Sequence, residues 1–548
     1  MMKNKYWKFI ISLFIIHHLS FIIAPDSLRA QQQNWLWAKS GGGRGQDEVS
    51  AVAVDSAGNI YAAGSYQDSA TFSGMKLPPN PGYHAFLAKY SKDGSLIWIR
   101  STSGLSNSSQ PKGLVLGPDN FLYMTGNFYG TIVFDHILIT SNGNNDAFLV
   151  KYDLDGNAKW ARSGGGNDND FGKSVAIDPN GNIYMTGSFI SAAKFGTTNI
   201  ISKGDYDIFL AKYDPQGTLL WIKNFGSVLE DVGYGVACGK SGDVTITGTF
   251  RDTADFGGRK LYSKGRVDIF IAQYTTDGDL KWVQQAGDTA YGDLPSVVMD
   301  NAENVYVTGR FYFDTPGVVP DCDGIGNIYI AKYNKTGVRQ WMKCAGNGGE
   351  ESGNAIAVDS SGYVYVAGGY DFTVDFGSGK ILNSGLIDAF IVKLNSDGIA
   401  QWADRAGGKG DDFGTSLALD RIGNIFLGGA FSDTCVFGSF TMMSQHLKDA
   451  FIAKIGAQAS VKEISPPTSH FLVYPNPTQS AITIESSNDA KNSDMTVEFT
   501  NVLGVTLKKN ILVNQSAFSL PIKDLPRGMY FCRVTTIAWS ESRMVVVQ

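Results

Sequence analysis

Cysteine and histidine are scarce in this chain of 548 residues, with five of the first and six of the second. Cys238, Cys322, Cys344, Cys435 and Cys532 stand far apart with no CxxC pair, which excludes a zinc knuckle or a dense disulfide scaffold. Their odd number leaves at least one thiol free or intermolecular. His17 and His18 fall in an N-terminal apolar run, and His84, His136, His446 and His470 follow no catalytic spacing. Charged residues are 18% of the chain, below the usual quarter or so. The net charge of −6 gives no basic footprint, so no nucleic-acid partner is expected. After the N-terminal run, no apolar stretch approaches membrane-spanning length. Glycine (64 residues) and aromatics (12%) are plentiful, as suits many short strands joined by tight turns.

At the N-terminus Lys3, Lys5 and Lys8 precede "FIISLFII" (Phe9 to Ile16), and "SLRA" ends at Ala30. Residues 1–30 therefore read as a secretory signal peptide, with an uncleaved anchor helix as the alternative.

Trp37, Trp98, Trp160, Trp221, Trp282, Trp341 and Trp402 recur every 59 to 62 residues, so one supersecondary unit is copied seven times. Each copy carries four strand signals, a to d. In the first they are "SAVAVD" from Ser50, "NIYAAGSY" from Asn59, "AFLAKY" from Ala85 and "LIWIRS" from Leu96. Turn residues such as Asp55, Asp178 and Asp420 close a to b, and Asp-Gly pairs at Asp93, Asp155, Asp277 and Asp397 close c to d. Four antiparallel strands per unit with no helical period predict an all-β chain, with a seven-bladed β-propeller over residues 34–456. The seventh unit lacks a tryptophan strand after Ile455, while a spare one starts at Asn34. That N-terminal strand is expected to complete blade seven and leave no edge unpaired. The long b–c and d–a loops then share one face, where a ligand is expected.

Acidic residues recur just before strand a, at Asp47, Asp170, Glu230, Glu351 and Asp412. They are expected to form an interrupted ring about the channel mouth, where they would contact a ligand or hold a hard cation such as calcium. A purely structural role, accepting backbone N–H groups in the turns, is the competing reading. A second set, Asp146, Asp207, Asp268, Asp388 and Asp449, precedes strand c, with His84 and Asn327 in units one and five. Unit five is the most irregular, with Asp314, Asp321, Cys322 and Asp323. No catalytic residue is assigned, and no cofactor other than calcium. The glycine-rich "SGGGRG" and "SGGGNDND" open no helix that could hold phosphate. Asp-Phe-Gly at Asp170, Asp255, Asp375 and Asp412 recurs with the repeat and reads as turn punctuation.

The unit "SVAIDPNGNIYMTGSF…DIFLAKYDPQGTLLWIKNFG" resembles the bacterial SBBP family of β-propeller repeats, and the likeness runs from Asn34 to Ile455. It implies a fold and leaves function open. "AKYDLDGNAKW" is similar to the tryptophan-docking repeat of pyrroloquinoline-quinone dehydrogenases over the c–d hairpin alone. The adjacent cysteine pair of those enzymes is missing.

After a polar, proline-bearing linker at 457–470, short alternating stretches over 471–548 predict a small β-sandwich. Tyr474-Pro475-Asn476-Pro477, Asn501-Val502-Leu503-Gly504, Leu525-Pro526-Arg527-Gly528-Met529-Tyr530 and the end Arg543 to Val547 resemble the C-terminal sorting domain of type IX secretion in Bacteroidetes-like bacteria. The resemblance implies the type IX machinery as a partner, export to the outside or the outer cell surface, and removal of this domain. A carbohydrate-binding sandwich that stays attached is the alternative. The chain as a whole is expected to be a monomeric binding or adhesion module for a glycan or protein. The alternative is a hydrolase or lyase acting at the channel mouth.

Overall fold

The computed structural model describes residues 33–104, 108–264, 266–286, 290–313, 327–346, 349–456, 471–474, 481–486, 495–501, 505–512, 517–536 and 540–547. The expected signal peptide and linker, Asp314 to Asp323 of unit five, and the Pro475–Pro477 and Val502–Gly504 motifs lie outside these residues. The chain divides into two units, Met1–Gln458 and Ala459–Gln548. Among the described residues the regular elements are strands, and no helix is long and apolar enough to cross a membrane.

Among the described residues the first unit holds three separate two-stranded hairpins and seven antiparallel sheets with strands in the order a-b-c-d, three of these sheets extended by a hairpin from the next repeat. Their a strands are Glu48–Val54, Ser108–Leu116, Phe171–Ile177, Val232–Cys238, Ala290–Met299, Ser352–Val358 and Asp412–Leu419. Burial explains the order. In sheet three, strand b (Ile183–Phe189) and strand c (Asp207–Tyr213) are buried at every position, whereas strand d (Leu219–Phe225) is largely half-exposed. A continuous apolar run is what a strand covered on both faces requires.

Strand d of sheet seven comes from the N-terminus, as expected. Trp35–Gly43 pairs with Asp449–Ile455, setting Trp37 opposite Lys454 and Ser40 opposite Phe451. Strand a of each sheet contacts strand a of the next, and Asp412–Leu419 contacts Glu48–Val54.

Two repeated contacts join neighbouring sheets. Apart from Trp402, whose following sheet has no c–d turn, each strand-d tryptophan lies on the c–d turn of the following sheet. A Cβ added to Gly156 would come within 2.9 Å of Trp98, and one on Gly217 within 3.0 Å of Trp160. Both glycines have positive φ (+83° and +78°), so the turn geometry and the ring each demand glycine. The indole N–H of Trp160 donates to Pro215 O at 3.3 Å, and Lys151 of strand c donates to the same carbonyl at 3.2 Å. Between sheets seven and one, Trp37 and Lys454 repeat this arrangement on Lys92 O, at 3.2 and 3.1 Å.

The second contact uses the b–c segments, which form hairpins where loops were expected. Ala192–Phe195 pairs back across the junction with Gly164, Gly165 and Gly166 of sheet two, and Ala70–Phe72 does the same with Gly41, Gly42 and Gly43. This accounts for the triple glycines. A Cβ on Gly164 would sit 2.1 Å from the Phe195 ring, and one on Gly166 would sit 1.9 Å from Ala192 O.

The second unit is a two-sheet sandwich. Phe471–Tyr474, Ala481–Ser486 and Ala517–Pro521 form one sheet, and Thr506–Leu512, Met495–Asn501, Gly528–Thr535 and Ser540–Val547 form the other. Ile482, Ile484, Val497, Phe499, Cys532 and Val545 are buried in its core. Cys238, Cys435 and Cys532 are free thiols, and Cys344 is disulfide-bonded.

Candidate functional site

Strand a carries the same irregularity in all seven sheets, one residue more than its partner strand b. The register breaks at Val49/Ala51, Pro111/Gly113, Gly172/Ser174, Gly233/Gly235, Asp293/Ser296, Gly353/Ala355 and Gly414/Ser416. A bulge of this kind re-aims the extra side chain. That side chain belongs to Ser50, Lys112, Lys173, Tyr234, Asn354 and Thr415 in sheets one to four, six and seven. Close packing sets the residue before it in three sheets. A Cβ on Gly172, Gly233 or Gly353 would meet the Oγ1 of Thr125, Thr186 or Thr308 in the preceding sheet at 2.6, 2.6 and 2.1 Å.

All six extra residues line one cavity of about 610 Å³. Toward the start of strand a the lining continues with Glu48, Phe413 and Lys448. Among the described lining residues there are three lysines and one glutamate, so this opening is cationic where an acidic ring was expected. Lys112 pairs with Glu48 at 3.4 Å, and Lys448 lies 3.6 Å from Asp411 and 4.8 Å over the Phe413 ring. Lys173 Nζ is held 4.9 Å over Phe171 and 6.0 Å over Tyr234. Burial, with the neighbouring charge of Lys112 second, pushes the Lys173 ammonium down to about 8.

The acidic residues lie behind this wall, in the sheet junctions. Asp47, Asp170 and Asp412 are fully buried and hold the d–a turn. Gly43 N donates to Asp47 at 2.8 Å, Gly166 N to Asp170 at 2.6 Å and Gly408 N to Asp412 at 2.9 Å. Glu351 is also buried and accepts from Gly349 N at 3.0 Å. In sheet four the turn is held by Asp231, which accepts from Ser227 N and from Arg251 N at 2.9 Å. The expectation for Glu230 is corrected accordingly, since it is half-buried and pairs with the Arg251 guanidinium at 3.0 Å.

The acidic residue before strand c faces the next sheet's turn aspartate across a glycine. A Cβ on Gly165 would lie 2.6 Å from Asp146 and 2.7 Å from Asp170, and Gly42 and Gly226 stand likewise between Asp449 and Asp47 and between Asp207 and Asp231. Burial lifts Asp47, Asp170, Asp207 and Asp412 to about 7, and Asp146, Asp231 and Asp449 to about 6. Among the described residues no three acidic, histidine or cysteine side chains form a metal-binding group.

Comparison with known proteins addresses the second unit most directly. Residues 472–548 match the model of the secretion system C-terminal sorting domain. This segment is a type IX sorting domain. The sorting domain marks proteins that are secreted or attached to the outer cell surface, and it implies passage through the type IX machinery. Within the first unit, residues 161–188 match the model of a beta-propeller repeat. An uncharacterized WD repeat-containing protein, L264, of Acanthamoeba polyphaga mimivirus is 25% identical over 367 residues, covering 52% of this chain and 26% of that protein. The regulatory protein FlaEY of Caulobacter vibrioides is 26% identical over 368 residues, covering 62% of this chain and 38% of that protein. The chain thus spans well under half the length of these two relatives. A Synechocystis apocarotenoid oxygenase overlaps 77% of this chain and 95% of its own at 13% identity, with a TM-score of 0.34 that carries no functional argument.

Proposed function

We propose that the first unit is a seven-bladed propeller closed by its N-terminal strand. Exported by the sorting domain, it acts as a binding module outside the cell. Its ligand occupies the cavity at the channel mouth, on the side of the b–c and d–a connections. Closure is supported by the Trp37 and Lys454 contacts on Lys92 O, which repeat those of the other junctions. If the ring is closed, Trp37→Ala should cost about 3–5 kcal/mol, as much as Trp160→Ala, when measured by chemical unfolding. A frayed seventh sheet would make Trp37→Ala clearly the cheaper of the two.

One observation carries the binding reading. Residues that are structurally equivalent in each sheet, and free to be alike, are serine, two lysines, tyrosine, asparagine and threonine around a single cavity. Repeats that serve only to pack need no such variety, whereas a ligand with an orientation does. The b–c hairpins of sheets one, three and seven are tied to the preceding sheet, which favours the channel as the binding surface on that side. The test is a glycan and small-molecule array probed with the full chain and with Ser50→Trp, which fills the cavity. Signals that vanish in Ser50→Trp support the reading, and signals that survive it place binding elsewhere.

A further inference from the structure

We infer that the channel mouth recognises an oxyanion, a carboxylate or sulfate group carried by a sugar or other small molecule, through the paired ammonium groups of Lys112 and Lys173. The inference rests on the binding reading above and names the chemistry of its ligand.

Lys112 and Lys173 are the extra residues of strands a in sheets two and three, which are in contact, so equivalent bulges turn two cations into the same cavity. Like charges side by side repel, and a site partly withdrawn from water screens that repulsion poorly. Lys112 has Glu48 at 3.4 Å, whereas Lys173 has no carboxylate partner among the described residues and is held by the faces of Phe171 and Tyr234. Burial first and the neighbouring Lys112 charge second lower the affinity of Lys173 for its proton, and a bound oxyanion would oppose both. The two ammonium groups supply charge and hydrogen-bond donors from one side. Asn354, from another sheet of the same cavity, keeps one amide N–H beyond the bond it donates to Gly414 O at 3.0 Å, whereas the Thr415 hydroxyl is already committed to Val49 O. Against a net charge of −6 for the whole chain, the three lysines and one glutamate of the described lining are a local reversal of sign.

The test is calorimetric titration of the full chain with oligogalacturonate, a sulfated chondroitin disaccharide, inorganic phosphate and neutral cellotetraose. Oligogalacturonate or the sulfated disaccharide should bind, which of them does telling carboxylate from sulfate, and binding of inorganic phosphate alone would overturn the inference. Affinity should fall at least about tenfold in Lys173→Met and be largely retained in Lys173→Arg, which keeps the charge. It should also weaken as salt rises. Binding of cellotetraose with an affinity indifferent to Lys173→Met would overturn the oxyanion inference and leave the binding module standing. Failure of every charged probe to bind would also overturn it. Charged probes that bind equally to Lys173→Met and to Ser50→Trp would overturn both.

Discussion

A buried aspartate facing a second aspartate is costly when both are ionised, and this chain builds that arrangement into several sheet junctions. Asp146 supplies the second charge that, after burial, raises Asp170, while burial raises Asp146 itself. Its Oδ2 accepts from the backbone and side chain of Asn142, at 3.1 Å each, while its Oδ1 is buried without a hydrogen-bond partner. Free aspartate titrates near 3.9. Burial raises Asp146 to about 6 and Asp170 to about 7. Between these values the folded chain holds protons that the unfolded chain has released. Stability is therefore fully present below about pH 4 and is lost as pH rises through 6 to 7. The urea midpoint of the first unit's transition should be lower at pH 8 than at pH 5. Asp146→Asn keeps the Asn142 contacts, removes the charge and offers an amide toward Asp170. It should flatten the slope and raise stability at pH 8 by about 1 kcal/mol. A midpoint that climbs from pH 5 to pH 8 would contradict this assignment. The recurrence of these acids was legible in the sequence, but their destination was not. Their spacing from the a–b turn is the same whether they face the channel or cap the preceding strand. In sheet four the turn aspartate is replaced by Gly239, which removed the landmark that separates Asp231 from Glu230.

Among elements, the triple glycine at the end of strand d matters as much as the strands it joins. Gly41 pairs with Phe72 of the incoming hairpin, and a Cβ at Gly41 would fall 2.0 to 2.5 Å from three atoms of that ring. The ring itself is buried and lies 4.8 Å from Phe86, so it cannot step aside freely. Gly41→Ala should therefore destabilise by about 1–3 kcal/mol through overpacking. Phe72→Ala alone should cost about 3–5 kcal/mol. The double variant should fall well short of their sum, because the clash disappears with the ring. Additive costs in chemical denaturation would show that the glycine is needed for some other reason. The strands, their turns and the borrowed N-terminal strand followed from alternation and period. The b–c hairpins did not, because segments of three or four residues carry too little alternation to be told from loops. The bulges were hidden for a related reason. One extra residue in "FGKSVAI" shifts the facing of Lys173 without disturbing the apolar count.

At the scale of the whole molecule, the propeller unit and the sorting unit have separate cores, and separate demands act on them. The sorting motifs make physical sense within their own sandwich. In the Leu525 to Tyr530 segment, Leu525 N closes on Ile522 O at 2.9 Å and the Tyr530 hydroxyl donates to Pro526 O at 2.6 Å, which fixes the entry to the strand Gly528–Thr535. The sorting domain implies passage through the type IX machinery, so removing residues 472–548 should abolish appearance outside the cell without unfolding the first unit. Two measurements separate these effects. Fractionation and protease shaving should find the shortened chain retained within the cell envelope, and its thermal transition should overlay the first-unit transition of the full chain. A shortened chain that still reaches the surface would show that export is directed from elsewhere. A shortened chain that no longer melts cooperatively would show that the propeller depends on the sandwich for its fold. Conversely, residues 459–548 appended to an unrelated envelope protein should carry it outside, because their core is complete without any residue of the propeller.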